Sequence, residues 1–260
     1  MLDVELSAKK REIRSRGAQI LKIGFDLLDS GGLENVRLDS IAERLGCTRS
    51  TLYNHYKNLE EVLVAMAASA VQRRLSLFEF GVAEAESSRQ KILAICLASM
   101  VYVDELPLDF SIEQAIRHEA IWQKTTEERR NLFSENELDC MRLAGNVVND
   151  AIIGREVPLP NGLTVDQMIE RVCFGLWSMS FGGLAIEVSS PSLEAVGIHN
   201  VRSTIHHNCN ALLDSFAWKP LFDPLEYQSF LKRLTPKLAQ KANELLNERE
   251  IPAEPNSKSS

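Results

Sequence analysis

Apolar residues recur three and four apart along most of the chain, a spacing that lays one continuous stripe along the side of an α-helix. The stripe is clear in Ile13, Gly17, Ile20, Leu21, Gly24, Leu27 and Leu28, and again in Ile198, Val201, Ile205, Cys209, Leu212 and Phe216. Helix-start signals accompany it. Asn58–Glu61, Ser87–Gln90, Ser111–Gln114, Thr125–Glu128 and Thr164–Gln167 each set a Ser, Thr or Asn three residues before Glu or Gln. That pair satisfies the free N–H groups at a helix start. Asp223-Pro224 and Thr235-Pro236 place a cap before a proline suited to the first helical position. No segment alternates between hairpin turns, so a sheet is not expected. The pattern predicts an all-α protein, with helices over roughly 9–30, 38–45, 49–55, 59–84, 88–105, 111–123, 126–154, 165–188, 193–217 and 224–248. The last is expected to break near Pro236, making a helix pair. Residues 251–260 (IPAEPNSKSS) hold too few apolar groups to fold and are expected to form a disordered tail.

Composition narrows the class without choosing an activity. The 260 residues are 45% hydrophobic and 25% charged, with a net charge of −7. No stretch reaches the ~18–20 consecutive apolar residues of a membrane span, and the first sixteen residues lack the apolar run of a signal peptide. Five cysteines (47, 96, 140, 173 and 209) are scattered and form no CxxC pair. They read as reduced thiols of a cytoplasmic protein rather than a disulfide framework.

Charge along the chain changes the picture. From Lys9 to Lys57 ten Lys and Arg face six Asp and Glu, a local excess of +4, whereas residues 58–260 carry −9. The basic set is Lys9, Lys10, Arg11, Arg14, Arg16, Lys22, Arg37, Arg44, Arg49 and Lys57. Such residues neutralise phosphates and supply the salt-sensitive part of DNA affinity. Within the same segment Leu38, Ile41, Ala42 and Leu45 make a short one-sided helix. Gly46 permits a sharp turn, Thr48 is placed to cap, and Leu52, Tyr53 and Tyr56 follow. Helix, tight turn, helix is the spacing that sends a second helix into a major groove.

The run IAERLGCTRSTLYNHYKNLEEVL, residues 41–63, resembles the DNA-binding motif of the TetR family of transcriptional regulators, through its I-A…G…T-L-Y-x-H-Y pattern. The resemblance covers about residues 10–75. It implies a helix-turn-helix domain over 1–57, with the motif at about 37–56, followed by a helical effector-binding and dimerisation domain over 58–250. By position Arg37, Thr48, Arg49, Ser50, Thr51, Tyr53, Asn54, His55 and Lys57 match DNA contacts of the family. Their chemistry agrees: Arg49 and Asn54 suit guanine and adenine edges, and the others suit phosphates. Leu52 and Tyr56 read better as core. Two positions depart from the pattern. Arg37 stands where the family usually has Thr or Ser, and Leu59 where it often has a basic residue. Both leave the set of phosphate contacts open.

The C-terminal region is less specific. The resemblance implies that two late helices form a dimer interface. Met168, Val172 and Met179 with Ile198, Val201, Ile205, Cys209, Leu212 and Phe216 are candidates, an internal core being the alternative. It also implies a ligand pocket, with Met100, Tyr102, Phe110, Arg117, His118, Trp122, Phe133, Met141, Phe174, Trp177 and Phe181 as candidates. Such a pocket would be largely apolar and suit a hydrophobic or amphipathic small molecule. His206-His207-x-Cys209 with His199 has metal-ligand spacing, but Cys209 already belongs to the apolar stripe, so no metal is expected. No cofactor loop or catalytic constellation is present. The expected protein is therefore a cytoplasmic homodimer, a ligand-responsive repressor on a near-palindromic double-stranded operator, with no membrane partner. A helical metal- or small-molecule-handling enzyme, and a DNA-binding adaptor whose C-terminal domain binds a protein, are the alternatives.

Overall fold

A computed structural model describes the backbone of residues 2–250 and the side chains of 15–248. The predicted tail 251–260, and the side chains of Lys9, Lys10, Arg11, Ile13 and Arg14, lie outside the described residues. Among the described residues every regular element is helical. In chain order these are α1 (Leu2–Gly31), α2 (Leu38–Leu45), α3 (Arg49–Tyr53), α4 (Leu59–Ala83), α5 (Ser88–Glu105), α6 (Pro107–Ala115), α7 (Glu119–Gln123), α8 (Glu127–Ile153), α9 (Val165–Ser189), α10 (Val201–Ser215) and α11 (Pro224–Glu250).

The chain divides into two compact units. The described part of the first covers residues 2–71, 108–134 and 243–250, and the second covers 72–107 and 135–242. Compactness thus groups 58–71 and 108–134 with the N-terminal head. No division between compact units falls at the expected boundary 57/58.

In the first unit Ile20, Phe25, Val36, Ile41 and Leu52 are almost fully buried and form a small core. The expected single helix over 111–123 is two. Pro107 starts α6 early, because a proline at the first helical position sacrifices no hydrogen bond, and His118 restarts the chain as the cap of α7, its Nδ1 accepting from Ala120 N–H.

The second unit is built on α9, which packs along both α5 and α10. Gly183 sets part of that closeness: a Cβ there would fall 2.8 Å from Ile205 Cδ1. α9 corrects one expectation, since its 25 residues are long and apolar enough to cross a membrane by length and composition. Here Met168, Val172, Leu176 and Leu184 are buried within the unit. The helix expected over 193–217 begins only at Val201, because Gly197 takes a left-handed backbone conformation at φ 82° and closes a preceding 3-10 turn.

α11 is also a correction, being one helix through Pro236 rather than a pair. Proline removes a single N–H and strains the preceding turn. Burial of Phe230, Leu234 and Leu238 on one face, with Pro236 on the exposed side, holds the helix together. Of the expected start signals, Asn58, Ser87, Thr164 and Asp223 accept backbone N–H bonds at helix starts, and Thr164–Gln167 closes both halves of a capping box. Ser111 and Thr235 instead lie inside helices.

One buried cation ties the second unit together. Arg89, 4% exposed, donates from Nη1 to Asp214 at 2.6 Å and to the carbonyls of Trp218 and Pro220. Its Nη2 donates to both oxygens of Asn210. Trp218, fully buried, donates its indole N–H to Ser88, which donates onward to Glu156. Removing one partner of such a network strands the others, which costs more than the pair itself is worth. Arg89→Met is therefore expected to lower stability by about 3 kcal/mol, read as an earlier urea midpoint; an unchanged midpoint would contradict this role.

Candidate nucleic-acid interface

The turn between α2 and α3 is made by Gly46, whose left-handed conformation (φ 66°, ψ 32°) returns its N–H to the carbonyls of Ala42 and Glu43. A side chain is disfavoured at that angle, so the sharp reversal depends on glycine. Thr48 then caps α3, its Oγ1 accepting from Thr51 N–H at 3.3 Å. α3 spans five residues and buries only Leu52. His55 and Tyr56 both return their N–H groups to the Leu52 carbonyl, which carries the helical path two residues further.

Anchoring one side chain inward turns the others out. Thr48, Arg49, Ser50, Tyr53, Asn54 and Lys57 are exposed, while Thr51 and His55 are half-buried. Tyr56 is 4% exposed and belongs to the core. Of the nine sequence-predicted DNA contacts, the eight from Thr48 to Lys57 thus fall on or beside one short helix. Arg37 lies on the preceding segment as the extended residue before α2; its Nε donates to the Glu34 carbonyl at 2.9 Å. It supplies no side-chain cap there. The Thr51 hydroxyl sits 3.1 Å from that of Thr48, so it is partly engaged within the motif.

Sequence reasoning missed three residues here. Asp39, in the first turn of α2, forms a two-pronged ion pair with Arg49. Arg129, on α8, places its guanidinium 4.8 Å from the centre of the Tyr56 ring and donates to the His55 carbonyl. Lys124 accepts from Asn58 Nδ2 at its carbonyl and pairs with Glu60 through its ammonium. Asn58 also caps α4 by accepting from Glu61 N–H, and the Glu61 carboxylate accepts from Lys57 N–H. The segment leaving α3 is thereby held by residues about seventy positions later. Long-range partners of that kind leave no local spacing to read.

Burial, with Arg16 and Arg129 nearby, pushes the His55 imidazole below its ordinary value. At neutral pH it is uncharged, and a neutral ring still donates one N–H.

In the second unit Met141 and Trp177 line a cavity of about 40 Å³ together with Ile95, Cys96, Ser99, Cys173 and Leu176. The Trp177 indole N–H is buried without a hydrogen-bond partner. Arg74, 2% exposed, also lines the cavity; it pairs with Glu137 and lies 5.0 Å from the centre of the Phe181 ring. Burial pushes the Cys173 thiol up to about 11, and Cys96 is raised by its contact with Cys209 and by burial, so both line the space as neutral thiols. A more open hollow of about 260 Å³ has a mixed wall, with Glu86, Lys91, Asp150 and Glu156 beside Val82, Leu143 and Val147.

The remaining pocket candidates lie elsewhere. Met100 and Tyr102 are buried on α5, and Phe174 is 62% exposed. Phe110, Trp122 and Phe133 belong to the first unit, where Trp122 and Phe133 meet edge to face at 5.8 Å, and Arg117 and His118 are exposed. Of the interface candidates Met168, Val172, Ile205 and Cys209 are buried within the second unit; Met179, Val201, Leu212 and Phe216 are half-buried, and Ile198 is exposed ahead of α10. His206 takes a hydrogen bond with the Tyr227 hydroxyl at 2.6 Å. No group of three or more His, Cys, Asp or Glu among the described residues is arranged to hold a metal.

Residues 20–66 match the family model described as bacterial regulatory proteins, tetR family. Comparison with curated proteins returns no match. Among solved structures, the chain is similar to the transcriptional regulator FadR from Bacillus subtilis, solved in complex with stearoyl-CoA (15% identity, TM-score 0.50, covering 75% of this chain and 96% of that one). It is similar also to a TetR family transcription regulator from Marinobacter aquaeolei VT8 (16%, 0.50, 79% and 97%). A protein of unknown function from Rhodococcus sp. RHA1 gives 19%, 0.50, 78% and 94%. At such identities the likeness establishes the fold.

With α3 against DNA, as the sequence leads one to expect, protonating His55 would add a positive charge at that surface. Its depressed value places that step below the ordinary 6.5. DNA affinity is expected to be flat from about pH 8 to 7 and to tighten only below that ordinary value. Fluorescence anisotropy at fixed salt checks this, and His55→Gln should remove the acid-side step.

Proposed function

We propose that this chain, whose residues 20–66 match the model described as bacterial regulatory proteins, tetR family, is a regulator of that family: a ligand-responsive repressor, acting as a homodimer on a near-palindromic operator in the cytoplasm. The observation that carries the reading is the outward row Thr48, Arg49, Ser50, Tyr53, Asn54 and Lys57 on a helix whose turn and cap are intact. Arg49 and Asn54 read base edges, and Arg37, Thr48, Ser50, Thr51, Tyr53, His55 and Lys57 hold phosphates and fix register. Two such helices about 34 to 36 Å apart would enter successive major grooves. The protein works by binding, and no catalytic role is assigned to any residue.

Met168, Val172, Ile205 and Cys209 are spent within the protomer, so a second copy would meet what α9 and α10 leave outside. Phe174, Ser178 and Ile186 on α9, and Ala211 and Ser215 on α10, are exposed there. Exposed Phe174 and Ile186 favour such a contact, because apolar surface of that size gains by leaving water.

The cavity at Met141 and Trp177 is the better candidate for the effector, because its wall is apolar and carries an unpaired donor. At about 40 Å³ it holds little more than a water molecule or two. Effector binding therefore requires Met141, the most flexible side chain there, and Trp177 to move aside. A ligand that needs the opened arrangement releases the operator only if it binds that arrangement more tightly.

Two measurements test the reading. Arg49→Ala with Asn54→Ala should weaken binding to the protein's own promoter fragment by roughly 30-fold or more, at about 1–3 kcal/mol for each lost base contact. Equal binding by the double variant would end the assignment of α3 as the reading helix. Ala144 also lines the cavity. Filling the space with the small enlargement Ala144→Val, with a thermal melt showing that the variant folds, should leave operator affinity intact but weaken release by any compound that dissociates the wild type. Release undiminished by the change would place the effector elsewhere.

A further inference from the structure

Arg49 and Asp39 make an ion pair that the fold does not require. Their side chains remain 57% and 61% exposed, and an exposed pair of this kind adds little to stability. Its geometry is more informative than its energy. Arg49 Nε donates to one carboxylate oxygen of Asp39, and Nη2 donates to the other. A guanidinium is a rigid planar fork with five N–H groups. The carboxylate covers the side-on edge and leaves the end-on edge, formed by Nη1 and the second hydrogen of Nη2.

That end-on edge presents two parallel donors. Guanine is the base whose major-groove edge offers two acceptors, N7 and O6, side by side; adenine sets a donor beside N7. We propose that Asp39 is a specificity-determining residue, which holds Arg49 by its side-on edge and aims the end-on edge at guanine. The proposal rests on α3 being the DNA-reading helix. Without Asp39, Arg49 is free to swing to a neighbouring phosphate, where it adds affinity without reading sequence. The carboxylate also opposes that swing directly, since both of its hydrogen bonds to the guanidinium would have to break first. Asp39 stands on α2 and Arg49 opens α3, so the two halves of the motif combine in a single reading group. A base-reading arginine alone would be a flexible side chain with a large choice of partners. Tethered to Asp39 it has one free edge and one direction.

The test uses the full chain. Wild type is used to select duplexes from a random library, and the enriched site is re-synthesised with each guanine changed to adenine in turn. Affinities for these duplexes are measured for wild type, Arg49→Ala, Asp39→Ala and Asp39→Asn, with matching thermal melts showing that the variants fold. Wild type is expected to prefer guanine at one position of each half-site by about 5- to 150-fold. Arg49→Ala should erase that preference. Asp39→Ala should lose most of it, while binding non-cognate DNA as tightly as wild type or more tightly. Asp39→Asn, which keeps an acceptor oxygen but no charge, should fall between the two. If Asp39→Ala binds all duplexes more tightly and keeps the full guanine preference, the carboxylate merely screens Arg49 and the proposal fails. The same holds if Arg49→Ala leaves every position unchanged. A library that yields no enriched sequence with wild type would overturn the DNA-reading assignment itself, a different failure from either of these.

Discussion

A five-residue helix has no stability of its own, so everything the head offers to DNA depends on Leu52 staying buried. One apolar side chain turned inward decides the rotation of α3 about its axis, and rotation decides which groups face out. The left-handed Gly46 and the Thr48 cap fix where the helix starts. Asn58 and Glu61 fix how the chain leaves it. Between these ends only Leu52 opposes rotation from within the helix. The neighbouring Tyr56 extends that anchorage past the last helical residue, with Arg129 resting on its ring. A rigid aromatic face and a planar cation suit this place, because their contact needs no hydrogen bond from a backbone that already bonds elsewhere.

The two units solve the problem of holding irregular chain in different ways. In the first, exposed and half-buried polar pairs around Lys124, Glu60 and Asn58 steady the segment after α3. Each pair is worth little singly, which suits a surface that must later exchange water for phosphate. In the second unit a buried guanidinium gathers the loop after α10. Arg89 satisfies carbonyls that no regular element could pair, and Asp214 neutralises it. Buried backbone carbonyls must find a donor. An arginine fork meets several at once, so this network is stiff where the first is adjustable.

How much was legible in the sequence follows from the same contrast. Local patterns were readable: the turn at Gly46, the cap at Thr48, the outward set from Thr48 to Lys57 and the capping box at Thr164 all depend on residues within a few positions of one another. Tyr56 reads as core and is buried. Features made over long range were hidden. Asp39 read only as an acid in a first helical turn, and nothing near Arg129 points to Tyr56. Errors in the helices had the same source. The proline signal at Thr235-Pro236 is local, and the buried face of Phe230, Leu234 and Leu238 overrides it. The stripe from Ile198 to Phe216 is true as a period, but Gly197 cuts its start from the helix, and inside the protomer Ile205 meets Gly183 of α9 while Cys209 meets Cys96 of α5. Periodicity reports that a face is apolar and is silent on whether the covering helix comes from the same chain.

The charge distribution takes on a sharper meaning beside the geometry of α3. A net −7 with a +4 head first describes affinity, since basic residues attract phosphate wherever it lies. Affinity of that kind is equal for every sequence and cannot distinguish an operator from the rest of a genome. Discrimination requires that some positive charge be withheld from the backbone and directed at base edges. An acidic residue on the DNA-facing side accomplishes this while lowering total attraction. Asp39 is one of six acids within that basic head, and it lies against the arginine best suited to guanine. The local excess of +4 is therefore not diluted by a stray negative charge there. Part of the attraction has been exchanged for direction, which a regulator that must find one site among many needs more than it needs tight binding everywhere.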